Sequence, residues 1–147
     1  MALAQKELKM TLLPTVLLLE DEALIALDIQ QTLLGAGAKD IVHLTSCSAA
    51  TDWLGIYMPD LVILDIFLLD GESTDIASHL VERGIPFVVH TARRKVTQES
   101  HQVLLNGEWV CKPARPDELI RAIGRCLEQR RDKGGLGCRD LNTRHAA

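Results

Sequence analysis

Along this chain, short unbroken apolar runs alternate with segments whose apolar residues recur every three or four positions. Thr15–Leu19 (TVLLL) stops abruptly at Glu20-Asp21-Glu22, as a strand does when helices cover both its faces. Ala23–Leu34 places Ile25, Ile29 and Leu33 at helical spacing, and Gly35 and Gly37 end it. Ile41–Leu44 predicts a second strand, and Ser46 predicts the cap of a helix through Leu54. After Pro59, Leu61–Leu64 (LVIL) is a second doubly buried strand and ends on Asp65. Asp70-Gly71 marks a turn into a helix over about Ser73–Glu82, with Ile76, Leu80 and Val81 facing inward. Phe87–Val89 is a fourth strand, ending at His90-Thr91. The next stretch is polar at first and helical around Val96–Leu105. Glu108–Cys111 is a fifth strand, ending at Lys112-Pro113. Pro116, Asp117 and Glu118 open a last helix whose apolar face is Leu119, Ile120, Ile123, Cys126 and Leu127. Strands and helices in strict alternation predict an α/β domain, a parallel sheet with helices on both faces.

Composition narrows this picture. Of 147 residues, 3% are aromatic, so the core is built from Leu, Ile, Val and Ala. Sixteen basic against twenty acidic side chains give a net charge of −4, which argues against nucleic acid as a partner. Cys47, Cys111, Cys126 and Cys138 contain no CxxC and no zinc-finger spacing with histidine, as in a reducing compartment. The first ten residues carry two lysines and a glutamate, so they form no signal-peptide core. No apolar run approaches the roughly 20 residues that span a bilayer. The expectation is a soluble, cytoplasmic protein with no membrane contact. One domain over residues 15–130 is predicted, with an N-terminal extension (1–14) and a basic, glycine-containing tail (131–147).

The polar residues that matter fall where the strands end. Strand one ends at Glu20-Asp21, strand three at Asp65, strand four at Thr91 and strand five at Lys112. In open parallel α/β sheets the ligand crevice lies outside the carboxyl ends of the strands. Three carboxylates meeting there repel one another unless a cation sits among them. A hard divalent ion such as Mg²⁺ suits them, because it takes a few carboxylates and keeps positions for water and phosphate oxygens. Lys112 adds a fixed positive charge, and the Thr91 hydroxyl can donate to a phosphoryl oxygen. A carboxylate in this setting is equipped to accept a phosphoryl group as an aspartyl-phosphate.

These residues resemble the receiver domain of two-component response regulators. The resemblance is carried by LLLED (Leu17–Asp21), LVILD (Leu61–Asp65), Thr91-Ala92 and Cys111-Lys112-Pro113, in that order and each at a strand end. It implies a flavodoxin-like, doubly wound sheet of five parallel strands in the order 2-1-3-4-5. It implies Asp65 as phosphoacceptor and Asp21 as direct Mg²⁺ ligand, with Glu20 acting through a metal-bound water and the Phe67 carbonyl as a third protein ligand. Thr91 matches the switch hydroxyl, Lys112 the family's lysine, and Trp109 the position of the switch aromatic. The phosphoryl donor implied is a phosphohistidine of a sensor kinase or phosphotransferase. Output would run to a downstream protein target, or through a homodimer, by the face of the fourth helix, fifth strand and fifth helix. With so little chain outside the domain, the stand-alone type of receiver is the expectation.

The chain departs from the family pattern in the loop after Asp65, Ile66-Phe67-Leu68-Leu69-Asp70-Gly71-Glu72-Ser73, which lacks the usual proline. Phe67 is apolar where many relatives place a side chain that orients attacking water, so slow self-dephosphorylation is expected. Taken singly, each motif has an ordinary reading: acids at a helix N-terminus, a solvated lysine, a strand-end threonine. The histidines show no metal spacing and are assigned no chemistry; His90 should face away from Thr91. The Arg93-Arg94-Lys95 run after the switch threonine could contact a partner. A receiver-like binding module that works without phosphate remains the alternative. Dehalogenase-type phosphatases need a second carboxylate where Phe67 stands, and a flavodoxin phosphate loop would not tolerate Glu20-Asp21-Glu22.

Overall fold

In a computed structural model of the chain, which describes residues 15–92 and 99–129, the apolar runs become the middle of one sheet. Val16–Leu19 (β1) and Leu61–Leu64 (β3) are buried at every residue. That is why neither run alternates: each has a core on both sides. Ile41–Leu44 (β2), Phe87–Thr91 (β4) and Glu108–Cys111 (β5) complete the sheet. All pairings are parallel and the order is β2-β1-β3-β4-β5. The doubly wound, flavodoxin-like architecture is the one expected.

Strand parity divides the core in two. Leu18, Ile63, Val88 and Val110 face the helix Ala23–Gly35 (α1) and the last helix, residues 116–129, through Ala26, Ile29, Leu33, Leu119, Ile123 and Cys126. Leu17, Leu19, Val62, Leu64 and Val89 face Cys47–Leu54 (α2) and Thr74–Arg83 (α3) through Ala50, Leu54, Ile76, Ala77 and Leu80. Ser46 caps α2 as predicted, accepting from the Ala49 N–H at 3.1 Å. Gly84 ends α3 in the left-handed conformation, φ 70°, where a Cβ would be strained.

Three expectations need correcting. Val81 is 40% exposed, because α3 is rotated to bury Ala77 beside Ile76 and Leu80. The fourth helix, predicted around Val96–Leu105, is over its described part Glu99–Asn106 a tighter 3-10 helix. The loop after β3 is not simply a turn: Phe67–Leu68 and Gly71–Glu72 pair as a small antiparallel hairpin. The N-terminal extension, the Arg93-Arg94-Lys95 run, Val96 and the basic tail lie outside the described residues. No helix among the described residues is long and apolar enough to cross a membrane.

Gly107, just before β5, is required by space. A Cβ there would stand 2.5 Å from the Phe87 ring and 2.6 Å from the Phe87 carbonyl oxygen. Part of that clash is with the backbone of β4, which cannot swing aside. Gly107→Ala is therefore expected to lower stability by about 2–3 kcal/mol, read from its urea midpoint. An unchanged midpoint would show that the start of β5 does not press on Phe87.

Candidate functional site at the carboxyl edge of the sheet

Two central strands deliver their acids to one place. Glu20 follows β1, Asp21 follows Glu20 and Asp65 follows β3, and one carboxylate oxygen from each lies within 4.8 Å of the others. Glu20 is 1% exposed and Asp65 9%. At an effective dielectric of about 20, two carboxylates at such a distance repel by roughly 3–4 kcal/mol. Lys112, following β5, answers that repulsion. Its Nζ lies 2.7 Å from Glu20 Oε1 and 2.7 Å from Asp65 Oδ2, with Glu22 Oε1 farther off at 3.8 Å.

The ionisation balance shows the same contest. Burial pushes the Glu20 carboxyl above its ordinary value, although Lys112 and the Glu22 N–H, which donates to it, pull the other way. Burial alone would depress the Lys112 ammonium, but its bonds to Asp65 and Glu20 outweigh this and raise it. The lysine is thus held charged by the two acids it bridges.

The remaining expected residues are placed as follows. Thr91 is buried at the end of β4, and its carbonyl accepts from the Lys112 N–H at 2.8 Å, so backbone pairing ties the two. Trp109 lies on β5 opposite Val89, half-buried against the α2–α3 core. By strand alternation it shares a face with Thr91. Phe67 sits in the hairpin opposite Glu72 and is 36% exposed. The structure brings Glu20, Asp21, Asp65 and Lys112 into direct proximity, with Thr91 attached through the main chain. An all-oxygen donor set of three carboxylates, two of them buried, fits Mg²⁺.

Several residues that the sequence did not single out shape this edge. Asp70 accepts from the Cys47 and Ser48 N–H groups at 2.6 and 2.9 Å, so the hairpin docks on the N-terminus of α2. These bonds hold its carboxyl below the usual range. Glu72 bonds buried His101 at 2.8 Å and ties the hairpin's other side to the 3-10 helix. The Ser73 hydroxyl donates to the Asp65 carbonyl at 2.6 Å, and His43 Nε2 donates to the Glu20 carbonyl at 2.7 Å. Of these, only Asp70 gave a sequence signal, and it read as a turn. The other contacts join residues 8, 23 and 29 positions apart, beyond the reach of a local pattern.

His90 faces away from Thr91, as alternation requires. It lines a groove of about 490 Å³ between α1 and the last helix, together with Asp28, Ile29, Lys112, Ala114 and Leu119. The ring is 5% exposed and its Nδ1 has no hydrogen-bond partner. Burial, aided by the Lys112 ammonium, pushes its pKa down to about 4, with Asp65 and Asp28 opposing weakly. The unfolded chain then binds this proton and the folded chain does not, so stability is lost as pH falls from about 6.5 toward 4. Between about pH 7.5 and 5 the loss from this group is up to about 2 kcal/mol. Glu20, raised rather than lowered, acts in the opposite direction, so the difference between His90→Leu and the wild type isolates the histidine. Urea midpoints should diverge in favour of the variant as pH falls; a constant difference would contradict the assignment.

Comparison with known proteins agrees with this fold. No family model matches the chain. It is 31% identical over 111 residues, 74% of its length, to "Transcriptional regulatory protein PdtaR" of Mycobacterium tuberculosis. It spans 54% of that curated relative. A CheY-like response regulator receiver domain protein from Methanospirillum hungatei superposes with a TM-score of 0.69 at 21% identity, over 82% of this chain and 98% of that one. The anti-anti-sigma factor PhyR from Bartonella quintana superposes with a TM-score of 0.67 at 24% identity, over 84% of this chain and 51% of that one. The described residues fold as a response-regulator receiver domain.

Proposed function

We propose that this chain is a phosphoacceptor of two-component signalling, with Asp65 receiving the phosphoryl group. The observation that carries the reading is the Lys112 ammonium at 2.7 Å from both Glu20 and Asp65, beside the Asp21 carboxylate. In this reading an Asp65 carboxylate oxygen attacks the phosphorus of a phosphohistidine. The P–N bond breaks, the imidazole leaves with a proton from solvent, and an acyl phosphate remains on Asp65. Asp21, Asp65 and the Phe67 carbonyl would hold Mg²⁺, with Glu20 acting through water. When bound, that ion supplies positive charge for the phosphoryl oxygens. Lys112 would keep contact with the acceptor and offset the charge that arrives, and Thr91 would donate its hydroxyl to a phosphoryl oxygen.

The donor is a histidine kinase or histidine phosphotransferase. The output is a protein contact, by the face of the 3-10 helix, β5 and the last helix, where Trp109 would repack as Thr91 moves. A homodimer through the same face is part of this reading. The test is incubation with Mg²⁺ and a small phosphodonor, followed by intact mass. One phosphoryl group per chain is expected, with a lifetime of minutes or longer because the Phe67 ring offers no polar atom to orient water. A lifetime of seconds would contradict the assignment to Phe67. No uptake at all would favour a binding module that works without phosphate.

A further inference from the structure

We infer that His43 and Ser73 are positioning residues of the acidic pocket, each holding the main-chain carbonyl of a carboxylate-bearing residue just beyond its strand. The inference rests on the phosphoacceptor reading of that pocket and goes beyond it by assigning what keeps the acids in place.

The argument starts from where the ladders stop. The Glu20 N–H still donates to the Leu44 carbonyl at 3.2 Å, one residue past the end of β1. The next acceptor along that edge is the Glu20 carbonyl, and β2 has no N–H left for it. Its chain has turned away at Thr45 to cap α2 through Ser46. The His43 side chain fills the gap, with Nε2–H donating to that carbonyl at 2.7 Å. On β3 the same thing happens. The Asp65 N–H donates to the Leu19 carbonyl at 3.1 Å, and the Asp65 carbonyl accepts from the Ser73 hydroxyl at 2.6 Å.

Ser73 shows most clearly that the bond serves the site. It stands at the N-cap of α3, where a serine ordinarily accepts from its own helix. Here it makes no side-chain cap bond. Its hydroxyl is fully buried and turned back to Asp65, and its N–H donates to the Ile66 carbonyl at 2.8 Å. The helix gives up a cap, and the acceptor residue gains a fixed peptide plane. A fixed plane fixes the Cα–Cβ direction. Glu20 and Asp65 are thereby held facing one another against a repulsion that Lys112 alone would have to restrain.

The test is Mg²⁺ affinity by calorimetry on the full chain, with folding checked by circular dichroism. His43→Leu and Ser73→Ala remove the donors, whereas His43→Gln and Ser73→Thr keep an N–H or O–H of similar reach. The donor-free variants should bind Mg²⁺ about five- to tenfold more weakly, and the donor-keeping variants within about threefold of the wild type. Donor-free variants that bind as the wild type does, even with lowered thermal midpoints, would overturn the inference. So would donor-keeping variants that bind as weakly as the donor-free ones. A wild type that binds no Mg²⁺ would overturn the phosphoacceptor reading itself, and the inference with it.

Discussion

Asp65→Asn takes up no phosphoryl group under conditions that label the wild type, a loss of at least about 100-fold. The amide keeps the shape of the carboxylate, and its oxygen can still accept from Lys112 Nζ, which lies 2.7 Å from Asp65 Oδ2. What disappears is the anionic nucleophile, and no other acid at this edge has the same setting. Glu20 is 1% exposed and engaged by Lys112, while Asp21 is partly exposed and the lysine's ion pairs run to Glu20, Asp65 and Glu22. The variant also lacks one of the three negative charges that lie within 4.8 Å of one another. Mg²⁺ affinity should therefore fall by about tenfold or more. Stability in the absence of divalent ions should change by less than about 1 kcal/mol, because lost repulsion offsets the weakened bond to Lys112. Intact mass after exposure to a small phosphodonor gives the answer. Residual labelling of Asp65→Asn would place the acceptor on another side chain.

Much of this arrangement was legible in the order of residues, for reasons that can be named. A run such as Leu61–Leu64 followed at once by Asp65 has one reading in a parallel sheet: a strand covered on both faces, ending at a crevice. Four such ends place Glu20, Asp21, Asp65, Thr91 and Lys112 along one edge from sequence alone. Helix rotation was not legible. The start of α1, Ala23–Leu27, is apolar at every residue, with Leu24 82% and Leu27 52% exposed, so periodicity could not choose between Ile25 and Ala26 as the buried residue. Val81 failed similarly, since one apolar position at the margin of α3 weighs as much in a pattern as one at its centre. The hairpin after Asp65 was also out of reach. What fixes it is Asp70 on the N-terminus of α2 and Glu72 on His101, contacts that only the sheet order creates. The side-chain bonds from His43 and Ser73 belong to the same class: local residue type gives no hint of a carbonyl 23 residues away for the one and eight for the other.

Lys112→Met is the second large effect, and it separates electrostatics from packing. Methionine keeps the apolar stem, and the backbone bond from residue 112 to the Thr91 carbonyl survives, so what is removed is the charge. In chelator at about pH 7.5 the variant should be about 2–3 kcal/mol less stable. This is less than for a wholly enclosed pair, since the site opens at the sheet edge. The pH dependence follows from the signs of the shifts. The Lys112 pKa is raised, so its contribution is complete at neutral pH and is lost only as pH rises through the alkaline range. The Glu20 pKa is already raised by burial with Lys112 present, and removing the lysine raises it further. Protonation of Glu20 then relieves the variant as pH falls, and the gap to the wild type should narrow from about pH 7.5 to 5. Mg²⁺ should narrow it as well, because it binds the folded state alone and binds the variant's uncompensated carboxylates more tightly. Phosphoryl uptake should nevertheless remain about 100-fold below wild type even when Mg²⁺ has restored stability. A lysine that merely stabilised the fold would let uptake recover together with the midpoint, and that outcome would remove Lys112 from the chemistry.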